Sequence, residues 1–327
     1  MLWLLVALIA YFLLAIAMVV DKTLLKKDIP DPIVYTFYVS MLGALVILIF
    51  LIIIPFTSLT IVWPNLLTLL ISFLAGVAFT WALILMYTAL KKDDATRVGP
   101  MIGGLVPIFV FILAWFILQE SLTCTQYIAF LFLIIGSILI SLDFSPHGAI
   151  SWLKKKFGLH QKLALPQIRR AFWLALPAAG AFGVSHVLTK YVYMQIDFVS
   201  GFVWTRLGAF LTVLLLLLIP HNYKALKKDL KKNKKHKKSA QKTGGRFLFG
   251  QTCGGAGTLL VQYAMFLGSV SLIQALQGTQ YVFLFLMVIA LTIFVPKLLK
   301  EDISKEIFWQ KVIAVIFIFI GLWFITM

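Results

Sequence analysis

The chain has 327 residues, 61% of them hydrophobic and only 13% charged, with a mean hydropathy of +1.00. Apolar runs of this length demand a bilayer, so the profile excludes a soluble globular domain. The net charge of +17, which would suggest nucleic acid in a soluble chain, has its source in the loops that flank the membrane spans.

A span length of about twenty residues predicts ten transmembrane helices. They fall at 2–20, 33–54, 67–90, 98–118, 125–142, 172–193, 199–219, 247–268, 271–295 and 308–326. The first lacks a positively charged start and stays apolar to Val20, so it reads as a span rather than a cleaved signal peptide. The intervening stretches are turn-like and polar, as in KKDIPDP (26–32) and LDFSPHG (142–148). The run KALKKDLKKNKKHKK (224–238) belongs to a Lys-rich loop at 222–246. That loop reads as a solvated tether or as a patch docking on anionic lipid headgroups, at about 1 kcal/mol per basic residue. Nothing aromatic is interleaved, so no nucleic-acid partner is expected.

The two halves resemble each other. Lys22 is followed sixteen residues later by Tyr38, with Pro55 closing the helix pair, and Lys190 is followed sixteen later by Arg206, with Pro220 closing the second pair. QESLTCTQ (119–126) and KEDISKEIFWQ (300–310) each lead into a glycine-bearing last helix. The expected organisation is therefore a five-helix repeat at 1–145, a basic connecting loop at 146–171 and a second five-helix repeat at 172–327. An odd number of spans per copy forces the second copy into the membrane upside down, the inverted-repeat architecture of many secondary transporters. The expected fold class is an all-α polytopic membrane protein.

Charge inside the spans is rare and therefore informative. Arg206 lies about seven residues into the seventh span, where insertion scales assign a cost of about 2.5–3.5 kcal/mol near the bilayer centre. His186 and Lys190 are one turn apart and share a helix face. Read with both termini outside, Arg206 sits in the outer third of its helix, and the three side chains are candidates to converge on a solute. Lys190 near a helix end also fits snorkelling to the interface. The eighth and ninth spans carry polar stripes, Gln251, Thr258 and Gln262, then Gln274, Gln277 and Tyr281. Such amides either tie helices together or read a polar solute. Gly254, Gly255 and Gly257 read as packing positions. Trp81 and Trp204 lie deep enough to stack on a ligand, whereas Trp3, Trp63, Trp152, Trp309 and Trp323 read as interfacial belts. Asp21, Glu120, Asp143, Asp197 and Glu301 all fall near predicted span ends, so no mid-membrane acid is expected.

The segment from Pro107 to Gly136, P-x(12)-E-S-L-T-x-x-Q-x(9)-G, together with the ten spans and the basic residue closing the first helix of each half, resembles the EamA-type branch of the drug/metabolite transporter superfamily. Gly99, Pro100, Gly103, Gly104, Pro107 and Glu120 match the family's fourth-helix pattern of hinge or packing residues. Arg206 matches its second-helix arginine, and Tyr38 replaces that arginine in the first copy. The resemblance implies alternating-access carriage of a small metabolite, without naming it. It also implies cytoplasmic termini, opposite to the charge count given below.

Basic donors without a buried acid favour an anionic or zwitterionic solute held in charge-assisted bonds by Arg206. The substrate-binding candidates are Arg206, His186, Lys190, Trp204, Gln251, Gln262, Gln274, Gln277, Tyr281 and Tyr38. No catalytic residue, metal or cofactor is expected, because Asp93 and Asp94 in a basic loop do not make an enzyme site. A flippase for polyisoprenyl-phosphate-linked sugars is the alternative carrier, and a membrane enzyme or scaffold the alternative class. The loops after odd-numbered helices hold 27 of the 29 basic residues, which predicts those loops to be cytoplasmic and both termini outside the cell membrane. A reporter fused to the C-terminus is expected to read as external; a cytoplasmic signal would reverse the orientation.

Overall fold

The structure is a computed structural model describing residues 2–27, 31–53, 56–57, 60–92, 95–141, 165–235, 237–294 and 305–326. The LDFSPHG turn, residues 146–164 of the connecting loop, Asp93, Asp94, Pro55, Lys297, Lys300 and Glu301 lie outside the described residues. Those described are helical apart from short links. In hydrocarbon every backbone N–H and C=O must find a partner inside its own segment, and for a single apolar run only the helix achieves that.

The helices are α1 (Leu2–Lys27), α2 (Pro32–Ile53), α3 (Leu66–Lys92), α4 (Ala95–Leu118), α5 (Cys124–Ser141) and α6 (Leu165–Gln195). They continue as α7 (Phe198–Leu217), α8 (Pro220–Lys235), α9 (Lys237–Leu267), α10 (Val270–Ala275), α11 (Gln277–Phe294) and α12 (Lys305–Thr326). Seven spans among the described residues are long and apolar enough to cross a membrane, with α5 a shorter apolar helix beside them.

Short polar residues start several of these helices by accepting from first-turn N–H groups that have no helical partner. Asp31 accepts from Ile33 N at 2.9 Å, Asn65 from Thr68 N at 2.8 Å, and Asp197 from Ser200 N at 3.0 Å. At α5 the motif residues Thr123 and Gln126 form a reciprocal capping box, Gln126 N donating to Thr123 Oγ1 at 3.3 Å and Thr123 N to Gln126 Oε1 at 3.0 Å. The stop before it is set by Gln119, whose φ of 53° turns the chain out of α4.

Packing pairs helices that are far apart in the chain. Helix α1 lies along α9 and α3 along α6, and trading first for sixth and third for eighth spans converts one pair into the other. Helices α5 and α12, the last of each half, lie against each other. Their approach depends on two glycines. A Cβ on Gly136 would sit 2.6 Å from Ile318 Cγ1 and 2.9 Å from the Ala314 carbonyl oxygen, and one on Gly321 would sit 2.7 Å from Leu133 Cγ. Small residues let backbones meet where lipid offers no hydrophobic drive to associate. The main core gathers Ala7, Ala10, Ala178, Ala179, Ala264 and their neighbours around α1, α4, α6 and α9.

Three expectations change. The Lys-rich loop at 222–246 is helical on both sides of residue 236, because lysine is a good helix former and Pro220 sits in the first turn, where it costs no hydrogen bond. Leu226 is buried on its inner face while Leu230 and Tyr223 are exposed. The connecting loop ends earlier than expected, since α6 begins at Leu165. The ninth span is broken into α10 and α11 at Leu276, and the buried Tyr11 hydroxyl donates to the Ile273 carbonyl at 2.7 Å beside the break. Overpacking typically costs about 1–3 kcal/mol, so Gly136→Ala is expected to lower the melting temperature of purified protein. Gly255→Ala, whose Cβ meets nothing within 4 Å, serves as the unaffected control.

Candidate functional site

Arg206 is the ninth residue of α7, about 12 Å into a helix rising 1.5 Å per residue. That is mid-helix, not the outer third, because α7 ends at Leu217 rather than running past it. Its guanidinium carbon lies 4.5 Å from the Phe79 ring centroid and 5.3 Å from that of Phe202. Its Nη2 is buried and has no hydrogen-bond partner among the described residues. Ring contacts of this kind contribute about 0.5–2 kcal/mol, which falls short of the insertion cost of about 2.5–3.5 kcal/mol. The remaining deficit is what an anionic group would remove.

Two further polar side chains lie within electrostatic reach of Arg206, His186 from α6 and Tyr193 one helix turn beyond Lys190. His186 stacks at 6.0 Å on Phe182, its plane tilted by 14°. Tyr193 donates to Gln262 Oε1 on α9 at 2.6 Å, both side chains being buried. The structure thus assembles Arg206, His186, Tyr193 and Gln262 from three helices, with Phe79 and Phe202 as walls. Sequence reasoning passed over Tyr193. Its only signal was a position seven residues after His186, two turns along one face.

Lys190 does not join this group. Its ammonium donates to the Met265 and Gly268 carbonyls at 2.7 and 2.8 Å, capping the C-terminal end of α9. Glu120 lies within electrostatic reach of Lys190 and accepts from Ser271 Oγ at 2.6 Å, which ties α4 and α6 to the α9–α10 corner.

The remaining candidates scatter. Trp204 donates to the Val62 carbonyl at 3.1 Å and packs edge-on against Trp63 at 4.7 Å, so its ring is committed to the α7 entrance. Trp81 is exposed on the outer surface of α3. Tyr38, at the place of the missing arginine, donates to Asp229 on α8 at 2.9 Å. Gln251 donates to Asp21 at 2.9 Å, about 16 Å along α9 from Gln262 by helical rise. Gln274 reaches Met265 Sδ at 3.2 Å, and Thr258 bonds its own helix at Gly254. Gln277 donates to the Tyr281 hydroxyl at 3.4 Å, while its buried Oε1 is unpaired among the described residues. Tyr281 in turn donates to the Gly99 carbonyl at 2.8 Å.

Helix α4 runs unbroken through Pro100 and Pro107. Gly99 and Gly103 make room for Met18 and Tyr281, since a Cβ on either would fall onto those side chains, and Gly104 makes ordinary contact with Ile138 at 3.5 Å. These are packing positions in this structure. The cysteines are both free, and no group of three metal ligands occurs among the described residues.

Residues 1–142 match the EamA-like transporter family. That first part of the chain is EamA-like. That family is one of membrane transporters of the drug/metabolite type, not of enzymes, and the all-helical polytopic fold agrees with it. One solved crystal structure of a protein aligns with a TM-score of 0.58 over 98% of this chain and 95% of its own, at 15% identity, which speaks to the fold alone. Comparison with curated proteins returned no match. Within this EamA-like framework Lys190 acts as a cap. Lys190→Met is expected to lower the melting temperature while leaving solute affinity within about twofold, as checked by thermal denaturation and by saturation of uptake.

Proposed function

We propose that this EamA-like protein is a secondary carrier for a small anionic or zwitterionic metabolite, working by alternating access between its two five-helix halves. The observation that carries the reading is Arg206 Nη2, a buried guanidinium donor at mid-helix left without a partner by the described residues. Arginine offers five donors in a rigid fork, suited to carboxylate or phosphate. Contact with two phenylalanine rings helps to orient that fork, and the unpaired Nη2 is available to a ligand.

His186 and the Tyr193–Gln262 pair supply neutral polar atoms that orient the rest of the solute. The exchange-related packing and the broken ninth span support alternating access, since irregular helices in carriers mark the place where solute is held and released. The odd-numbered loops, with α8 among them, face the cytoplasm in this reading, because they gather the basic residues.

Arg206→Ala is expected to abolish counterflow of an anionic probe in proteoliposomes. Arg206→Lys retains the charge but loses the fork, and is expected to keep a small fraction of the rate. Wild-type counterflow with Arg206→Ala would remove the residue from the mechanism.

A further inference from the structure

Helix α8 takes no part in holding the solute, yet its position is closely fixed. Helix α7 is a span of 20 residues, about 30 Å at the helical rise, which matches the thickness of the hydrocarbon core. Its end at Leu217 therefore lies at the edge of the membrane, and α8 starts just beyond it at Pro220. Asn222 Nδ2 donates to the Leu216 carbonyl at 2.8 Å and holds the first turn of α8 against the last of α7. Farther along, Leu226 is buried in the cluster of Val34 and Tyr35, and Asp229 accepts from Tyr38 at 2.9 Å. Tyr35 and Tyr38 lie within the first two turns of α2. These contacts keep α8 along the membrane face from Pro220 to Asp229 instead of letting it project into water.

The sides of α8 differ in kind. Asn222, Leu226 and Asp229, four and three residues apart, face the protein. Tyr223 and Leu230, two turns apart on one edge, are exposed, and so are Leu218 and Ile219 just before them. Lys224, Lys227 and Lys228 are also exposed, and Lys227 Nζ lies 5.9 Å from the centroid of the Tyr223 ring. The 16 residues of the helix hold seven lysines and a single aspartate. Lys224 and Lys228, Lys227 and Lys231, and Lys228 and Lys232 each stand four apart, a spacing at which like charges repel along a helix. A helix that was merely solvated would carry this repulsion uncompensated and would expose leucine and tyrosine to water for no gain. A nucleic acid would answer the charge but leave the apolar edge against a polar surface.

We propose that α8 is a docking surface for anionic phospholipid, its apolar edge entering the headgroup layer and its lysines binding the phosphates. A helix with a basic face and an apolar edge, set level with the end of a span, is suited to lying in that layer. The tyrosine ring fits the interface, and lysine stems lie along it with their ammonium groups at phosphate level. Basic segments beside a span are drawn to the negative surface of the cytoplasmic leaflet, which is where the positions of the loop lysines put α8. Because α8 is bonded to both α7 and α2, lipid bound there braces the folded chain and raises its stability by mass action. The docking does not depend on which solute the protein carries.

Full-length protein in neutral detergent is titrated with short-chain phosphatidylglycerol, phosphatidylcholine, glycerol phosphate and a single-stranded RNA, and binding is read as a rise in melting temperature. Phosphatidylglycerol is expected to give the rise and the other three to give none. The combined variant Lys224→Gln, Lys227→Gln and Lys228→Gln is expected to need about tenfold more of that lipid for the same rise. No rise with phosphatidylglycerol, or an equal response from the variant, would overturn the proposal. An equal rise with glycerol phosphate would assign the lysines to free phosphate, and a rise with RNA alone to nucleic acid; either result overturns lipid docking. Should the glutamine variant fold poorly, the lysines are kept and depth is measured instead. With Cys124→Ser and Cys253→Ser, a spin label at Leu230→Cys is compared in nanodiscs of phosphatidylcholine with and without phosphatidylglycerol. The anionic lipid is expected to make the label more accessible to oxygen and less accessible to a water-soluble nickel complex. A label that reads the same in both discs sinks the proposal.

Discussion

Hydrocarbon provides no hydrogen bonds, and most of this structure follows from that fact. The backbone is helical because only a helix satisfies its own amides at membrane depth. Many polar side chains are turned onto their own helix, as Thr205, Thr212 and Ser137 are, and others are spent on a neighbour's carbonyl or side chain. Ser185 reaches Ala75, Thr80 reaches Ala209 and Tyr11 reaches Ile273 across helix boundaries. Such bonds average only about 0.6 kcal/mol each, so they select partners and register more than they supply stability. Close van der Waals contact at alanine and glycine positions supplies the rest.

Against that background of satisfied groups the exceptions stand out. Arg206 is a cation with an unpaired buried donor, and Asp21 is an acid with neutral partners. The two centres differ in their partners. Arg206 has aromatic walls and, among the described residues, no acceptor for its buried Nη2, which suits an anionic group arriving from outside the protein. Asp21 has two neutral donors, Tyr35 and Gln251, on its Oδ1. They are linked through α9, where Gln262 serves the arginine's neighbourhood and Gln251 serves the aspartate. Movement of one helix is therefore felt at both.

The basic helix α8 has a structural part in this arrangement. Leu226 enters the cluster around Tyr35 and Asp229 accepts from Tyr38, so the helix packs onto that cluster, with Lys224, Lys227 and Lys228 exposed. Tyr38 stands sixteen residues after Lys22, as Arg206 stands sixteen after Lys190, and the two side chains do different work. Arg206 is a cation mid-helix, whereas Tyr38 uses a phenol to fasten α8.

The apolar runs by themselves determined that the chain is helical and membrane-bound, and their lengths placed nearly every helix, because burial in lipid depends on composition over about twenty residues. The isolated arginine was equally legible, since a charge in such a run has no local explanation. Tertiary structure decided which polar groups meet. Lys190 became a cap and His186 a neighbour of Arg206, although one turn separates them, because α9 ends beside the lysine. Gln251 and Gln262 share a stripe yet serve different centres, since α9 passes α1 at one level and α6 at the other. Asp21 stands at the end of its apolar span as expected, while α1 runs on to Lys27, and Tyr11 from a distant helix donates beside the break at Leu276. These outcomes rest on contacts between helices 69 to 262 residues apart in the chain, and no local pattern encodes such distances.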